Sequence, residues 1–150
     1  MKVEDKEIYL NVPQYKYEMV QANINVLIWG RRTGKTNYPM ARFITNNVMK
    51  MPGGNGWIVA NTYEQMLTRT LPPLLEGLQR IGWYENVHYW VRKFAPKNLM
   101  IPKSVRAPLK ADHYIQFLNG SGIFLVSQDV VASINGVAAQ YGAGDEAKFL

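Results

Sequence analysis

Val26-Leu27-Ile28-Trp29-Gly30-Arg31-Arg32-Thr33-Gly34-Lys35-Thr36 is a short apolar run, then a glycine-bearing turn, then Lys-Thr at the expected start of a helix. That order suits phosphate binding. The apolar run reads as a buried strand. The turn behind it can wrap an anion with backbone N–H groups, and a helix N-terminus points its free N–H groups the same way. Gly34 admits a close backbone approach. Lys35 is placed to reach the β and γ phosphates of a nucleoside triphosphate, and the Thr36 hydroxyl to sit on Mg²⁺. The pattern G-x-x-x-x-G-K-[ST] is met with one variation. Its first glycine falls on Trp29, and Gly30 stands one place later. Arg31 and Arg32 lie inside the turn, either as solvated loop charges or as guanidinium groups beside the phosphates.

The rest of the chain bounds this reading. At 150 residues the sequence is long enough for one domain with a real core. It has no cysteine, which excludes disulfides and zinc–thiolate sites and fits a reducing compartment. No apolar run is long enough to cross a membrane, and the opening MKVEDKEIYL lacks the apolar core of a signal peptide. The formal charge is +6 and the pI about 9.6, which favours polyanionic partners, nucleic acid first.

Upstream of the turn, Pro13-Gln14-Tyr15 and Tyr17 have two readings: an amide on an adenine edge with a stacked ring, or cover for a sheet edge. Downstream, Met40, Ala41, Ile44, Val48 and Met49 predict a helix over 35–50, ended by Met51-Pro52-Gly53-Gly54. Trp57-Ile58-Val59-Ala60 predicts a buried strand. Asn61-Thr62 can cap a helix over 63–80 that Pro72-Pro73 splits in two. Trp83, Tyr84, Tyr89, Trp90 and Phe94 are expected in the core, with base stacking the other reading. Between Arg92 and Lys110 stand six basic residues and no acid, a stretch that can touch DNA phosphates or simply be solvated. His88 and His113 lack partners at metal-ligand spacing. Tyr114–Leu118 and Ile123–Ser127 flank Asn119-Gly120 and predict a β-hairpin.

Asp145-Glu146 follows a glycine-rich strand, Gln140-Tyr141-Gly142-Ala143-Gly144. Adjacent residues diverge at a strand end. One carboxylate can therefore face the Mg²⁺ shell while the other polarises the water that attacks the γ-phosphate.

Four segments resemble the N-terminal ATPase domain of the terminase large subunit of tailed bacteriophages, the motor that packages DNA. They are Trp29–Thr36, similar to that family's arginine-bearing phosphate loop; Trp57–Gln65, similar to its V-A-P-T-Y-x-Q segment with Asn61 for proline; Ile115–Ser121, similar to I-x-F-x-N-G-S; and Ser133-Ile134-Asn135-Gly136 before Asp145-Glu146-Ala147. Order and spacing agree over about residues 13–147.

The resemblance implies an α/β P-loop NTPase of the RecA-like type, with a mainly parallel central sheet flanked by helices and an inserted hairpin. It implies ATP and Mg²⁺, with Trp29, Gly30, Arg31, Arg32, Thr33, Gly34, Lys35 and Thr36 around the triphosphate. Arg31 or Arg32 would act on the γ-phosphate, Asp145 would hold Mg²⁺ through water, and Glu146 would be the general base. Gln14 would read adenine, with Gln21 as competitor. Implied partners are double-stranded DNA, the portal protein, the small terminase subunit and further copies in a ring, in the cytoplasm of an infected bacterium. The family continues past its acidic pair with another core strand and a nuclease domain. The chain is therefore expected to be one domain, incomplete at its C-terminal end. A superfamily 2 helicase-like ATPase, or a nucleotide- or DNA-binding module without turnover, are the alternatives.

Overall fold

The computed structural model describes residues 7–28, 32–129 and 137–145. Helix α1 (Val12–Glu18) begins at a capping box. The Asn11 side chain accepts from the Gln14 N–H, and the Gln14 side chain accepts from the Asn11 N–H. Helix α2 (Tyr38–Lys50) buries Met40, Ala41, Ile44 and Val48 of the apolar stripe that the sequence spacing marks, whereas Met49, its last member, is exposed. It starts three residues later than predicted because residues 35–37 form a turn. Glu18 ties the two helices together, accepting from the Tyr38 hydroxyl at 3.0 Å and from Arg42 at 3.1 Å.

Five strands make one sheet among the described residues: β1 (Asn55–Ala60), β2 (Tyr89–Val91), β3 (Tyr114–Phe117), β4 (Gly122–Ser127) and β5 (Tyr141–Gly144). Their order is β2-β3-β4-β1-β5. β1 runs parallel to β4 and β5, whereas β2–β3 and β3–β4 are antiparallel. This overturns the expected RecA-like P-loop arrangement with a mainly parallel sheet. The reason lies in the connections. Parallel neighbours need a crossover of a dozen residues or more, and the Leu118–Ser121 turn is far too short for one. The hairpin is therefore no insertion, since β4 is the strand on which β1 pairs. Its turn also serves α2. The Asn119 amide donates to the Val48 carbonyl at 2.8 Å and the Ser121 hydroxyl to the Met51 carbonyl at 2.9 Å. Both occupy carbonyls that a helix end leaves over.

Nor, among the described residues, do helices flank both faces. Ile58, Ala60, Ile115, Phe117, Ile123 and Leu125 alternate along β1, β3 and β4 and share one core with α2 and with α4 (Leu71–Arg80). The opposite face carries Tyr114, Gln116 and Phe124 and lies under the irregular segment 92–113. Phe94 packs at 6.1 Å from Tyr114, and the Ala95 N–H donates to Gln116. A buried polar chain fixes this cover. Ser104 Oγ meets the Tyr114 hydroxyl at 2.7 Å, that hydroxyl donates to Asn55, and the Asn55 amide donates to the Val105 carbonyl at 2.6 Å. Trp83, Tyr89 and Trp90 are buried, which decides for the core reading of those aromatics.

The apolar run 26–28 is not a strand. Val26 is 75% and Ile28 91% exposed. A buried strand needs a partner ladder and cover on its side chains, and no described strand supplies either. The chain from Tyr63 to Arg80 is nearly continuous: α3 (Tyr63–Gln65), a π turn (Met66–Thr70) and α4. Pro72-Pro73 stand in the first turn of α4, so the segments meet at the prolines as expected, and the wide turn ahead of them absorbs their missing N–H groups.

β5 explains its own composition. In register, Gly56 faces Tyr141 and Trp57 faces Gly142. A Cβ on Gly142 would stand 2.1 Å from the Trp57 indole. Each glycine is the floor for an aromatic ring on the neighbouring strand.

Candidate functional site

The parallel strands β4, β1 and β5 end on the same side of the sheet. In open α/β sheets, ligands bind outside such carboxyl ends. β5 delivers Asp145 there, its N–H continuing the ladder to the Val59 carbonyl at 3.1 Å. Thr36 meets it. The Thr36 hydroxyl donates to the carboxylate, its oxygen 3.4 Å from both Asp145 oxygens across 109 residues of sequence. Two residues singled out for one metal shell are thus in contact. A second hydroxyl, from Thr70 of the π turn, donates to Asp145 Oδ2 at 3.1 Å.

The turn 32–37 is held from three sides. From α1, the Asn11 amide donates to the Thr33 carbonyl at 3.0 Å and the Gln14 amide to the Gly34 carbonyl at 3.3 Å. From α4, Arg80 donates to the Asn37 side chain at 2.8 Å, and Gly77 lies directly under the Asn37 carbonyl. From β5 comes the Asp145 contact. Gly34 has φ 76° and Arg32 φ 60°, so the turn is left-handed at two places. Gly34 supports this without strain, and its missing Cβ makes room for the Gln14 amide. Asn37, the cap of α2, makes no side-chain cap bond, and in the first turn of this helix the Tyr38 N–H donates to the Gly34 carbonyl at 3.3 Å while Pro39 has no N–H to give.

Arg32 is exposed, and Lys35 and Thr36 are half-buried in the turn. Trp29, Gly30, Arg31, Glu146 and the 133–136 segment lie outside the described residues. Gln14 is buried, with its oxygen on Asn11 and its nitrogen on Gly34, so it holds the loop. Gln21 is exposed beyond α1. His88 is a buried structural histidine whose Nδ1 accepts from the Tyr84 N–H at 2.9 Å. His113 is exposed and stacks on Tyr63. The six basic residues of 92–110 are all exposed, with Lys103 above the Phe94 ring at 4.6 Å. Sequence reasoning missed Asn11 and Thr70. The N-x-x-Q spacing of a capping box could have found Asn11, whereas no pattern marks Thr70.

Among the described residues no three His, Cys, Asp or Glu side chains gather into a metal cluster, and no helix is long and apolar enough to cross a membrane. No family model, curated protein or solved structure matches the chain.

Proposed function

We propose that this chain binds ATP with Mg²⁺ on the 32–37 turn and hydrolyses it, and that hydrolysis drives movement of double-stranded DNA, as in a terminase-type packaging motor. The contact between Thr36 and Asp145 carries the reading. A Gly-Lys-Thr turn and an acidic strand end become one site only if the fold joins them, and here they touch.

The donor set fits the ion. Mg²⁺ takes oxygen ligands, keeps several waters, and is held by one or two carboxylates with substrate phosphates. The Thr36 hydroxyl and the Asp145 carboxylate are such donors. When bound, the ion neutralises charge on the β and γ phosphates. The chain's own parts do the rest. Backbone N–H groups of the turn cradle phosphate oxygens, and Lys35 places a cation on the β and γ phosphates. Arg31 or Arg32 stabilises charge that develops at the γ-phosphate. Glu146, next to the metal-side carboxylate, takes the proton of the attacking water.

DNA is the proposed partner because six exposed cations, without an acid between them, lie on the 92–110 cover of the sheet. The test is Mg²⁺-dependent phosphate release from ATP, with and without double-stranded DNA. The chain is compared with Lys35→Ala and Glu146→Ala. Turnover that DNA stimulates and both substitutions abolish is expected. ATP binding without turnover would favour a binding module instead. The absence of both binding and turnover would overturn the site.

A further inference from the structure

We propose that Thr70 is a positioning residue that fixes the Asp145 carboxylate for Mg²⁺, delivered to it by the π turn Met66–Thr70. The inference rests on the nucleotide site proposed above and adds a residue to it.

Two consecutive prolines follow the π turn by one residue. Pro72 and Pro73 have no N–H, and in a regular α-helix their rings would press on the carbonyls of Thr68 and Arg69. The chain widens instead. The Leu71 N–H donates to the Met66 carbonyl, five residues back. One extra residue in the turn rotates everything after it relative to everything before it. Leu71, Leu74 and Leu78 still reach the core on one side of the turn, and Met66 on the other. Thr70 falls at the seam, 2% exposed, facing the end of β5.

A helical threonine ordinarily returns its hydroxyl to a carbonyl three or four residues back. Thr68 does this, donating to the Glu64 carbonyl at 2.7 Å. Thr70 does not. Its hydroxyl crosses to Asp145 Oδ2, 75 residues away, at 3.1 Å. The Thr36 hydroxyl stands farther off, at 3.4 Å from either oxygen. So the two hydroxyls divide the work. Thr70 sets the carboxylate's rotation from its buried place on the π turn, and Thr36, on the loop, can turn its oxygen to the ion. Beside them is a recess of about 10 Å³, lined by Asn61, Gln65, Arg69, Thr70 and Asp145. That is room for a single water against the carboxylate. Groups that orient a metal-side carboxylate commonly change metal affinity by about 10–100-fold when removed.

The experiment is a Mg²⁺ titration of the binding of a fluorescent, non-hydrolysable ATP analogue to the full chain. Thr70→Val keeps the shape and removes the hydroxyl, whereas Thr70→Ser keeps the hydroxyl. Thr70→Val is expected to raise the half-effective Mg²⁺ concentration by about tenfold or more. Affinity for the metal-free analogue should stay unchanged, and Thr70→Ser should titrate like the parent. If Thr70→Val does not fold, Thr70→Ala carries the same expectation. An unchanged titration in the hydroxyl-free variant overturns the inference. So does a Thr70→Ser shift as large as that of valine, which would mean packing. Lys35→Ala separates the two levels. If it abolishes analogue binding, the nucleotide site stands whatever Thr70 does. If it leaves binding intact, the site reading falls and the inference with it.

Discussion

Gly77→Ala pits helix propensity against packing, and the two effects have opposite signs. Gly77 is in α4, where this helix crosses the start of α2. On propensity alone, alanine for glycine in a helix stabilises by about 1 kcal/mol. The structure says otherwise. A Cβ at Gly77 would stand 1.9 Å from the Asn37 carbonyl oxygen and 3.1 Å from the Ala41 Cβ. The first neighbour is backbone and cannot swing aside, so the helices must part by roughly an ångström. Overpacking a well-filled contact costs about 1–3 kcal/mol, and a backbone clash belongs at the upper end. After the propensity gain, a net loss of about 2 kcal/mol remains. For a chain of this size that lowers Tm by roughly 4–8 °C. Urea unfolding and thermal melts read it directly, with exposed Glu76→Ala in the same helix as control, expected within about 0.5 kcal/mol of the parent. Asn37 adjoins Thr36, so the displaced loop should also bind ATP more weakly. A Gly77→Ala chain as stable as the parent, or more stable, would refute the packing of α4 on the loop.

Gln14→Ala should weaken ATP and GTP binding equally, because the glutamine amide is spent on Asn11 and Gly34; competition binding checks this, and a selective loss of ATP would show that Gln14 reads adenine. Burial first, then the hydrogen bond to Glu18 and its charge, push the Tyr38 phenol from 10.0 up to about 12. The unfolded chain then loses this proton before the folded one does, so stability should fall as pH rises from 10 to about 12. Tyr38→Phe should make that fall shallower in denaturant melts across the range. Replacing Lys93, Lys97 and Arg106 together with alanine should weaken duplex DNA binding. Each lost phosphate contact should also reduce the slope of log K against log salt by about 0.9, read by fluorescence anisotropy.

Local order was legible where a residue type enforces it. Asn119-Gly120 marked the hairpin, Met51-Pro52-Gly53-Gly54 the end of α2, and the spacing of Ala41, Ile44 and Val48 its buried face. Strand direction was not legible. Val26-Leu27-Ile28 looks like a buried strand by composition, but burial depends on a neighbour, and Val26 and Ile28 are exposed. β5, short of branched residues, looked weak, although its Gly142 is what the Trp57 ring requires, as Gly56 of β1 is for the Tyr141 ring. β2, only Tyr89–Val91, is too short for any period to show. In the candidate site, Thr36 and Asp145 stood out in the sequence by residue type and position, and the fold brings them into contact. Thr70 was hidden because a π turn has no sequence period, and Gln14 gained its role on the loop from a cap on Asn11.

The central claim is that Thr36 and Asp145 form one metal-nucleotide site. Crystals grown with Mn²⁺ in place of Mg²⁺ and a non-hydrolysable ATP analogue test it most directly through the anomalous signal of manganese. The account predicts one peak on the Thr36 hydroxyl and beside the Asp145 carboxylate, with the triphosphate over the 32–37 turn and Lys35 against its outer phosphates. Metal and nucleotide bound elsewhere, or no peak there at saturating concentrations, would contradict it.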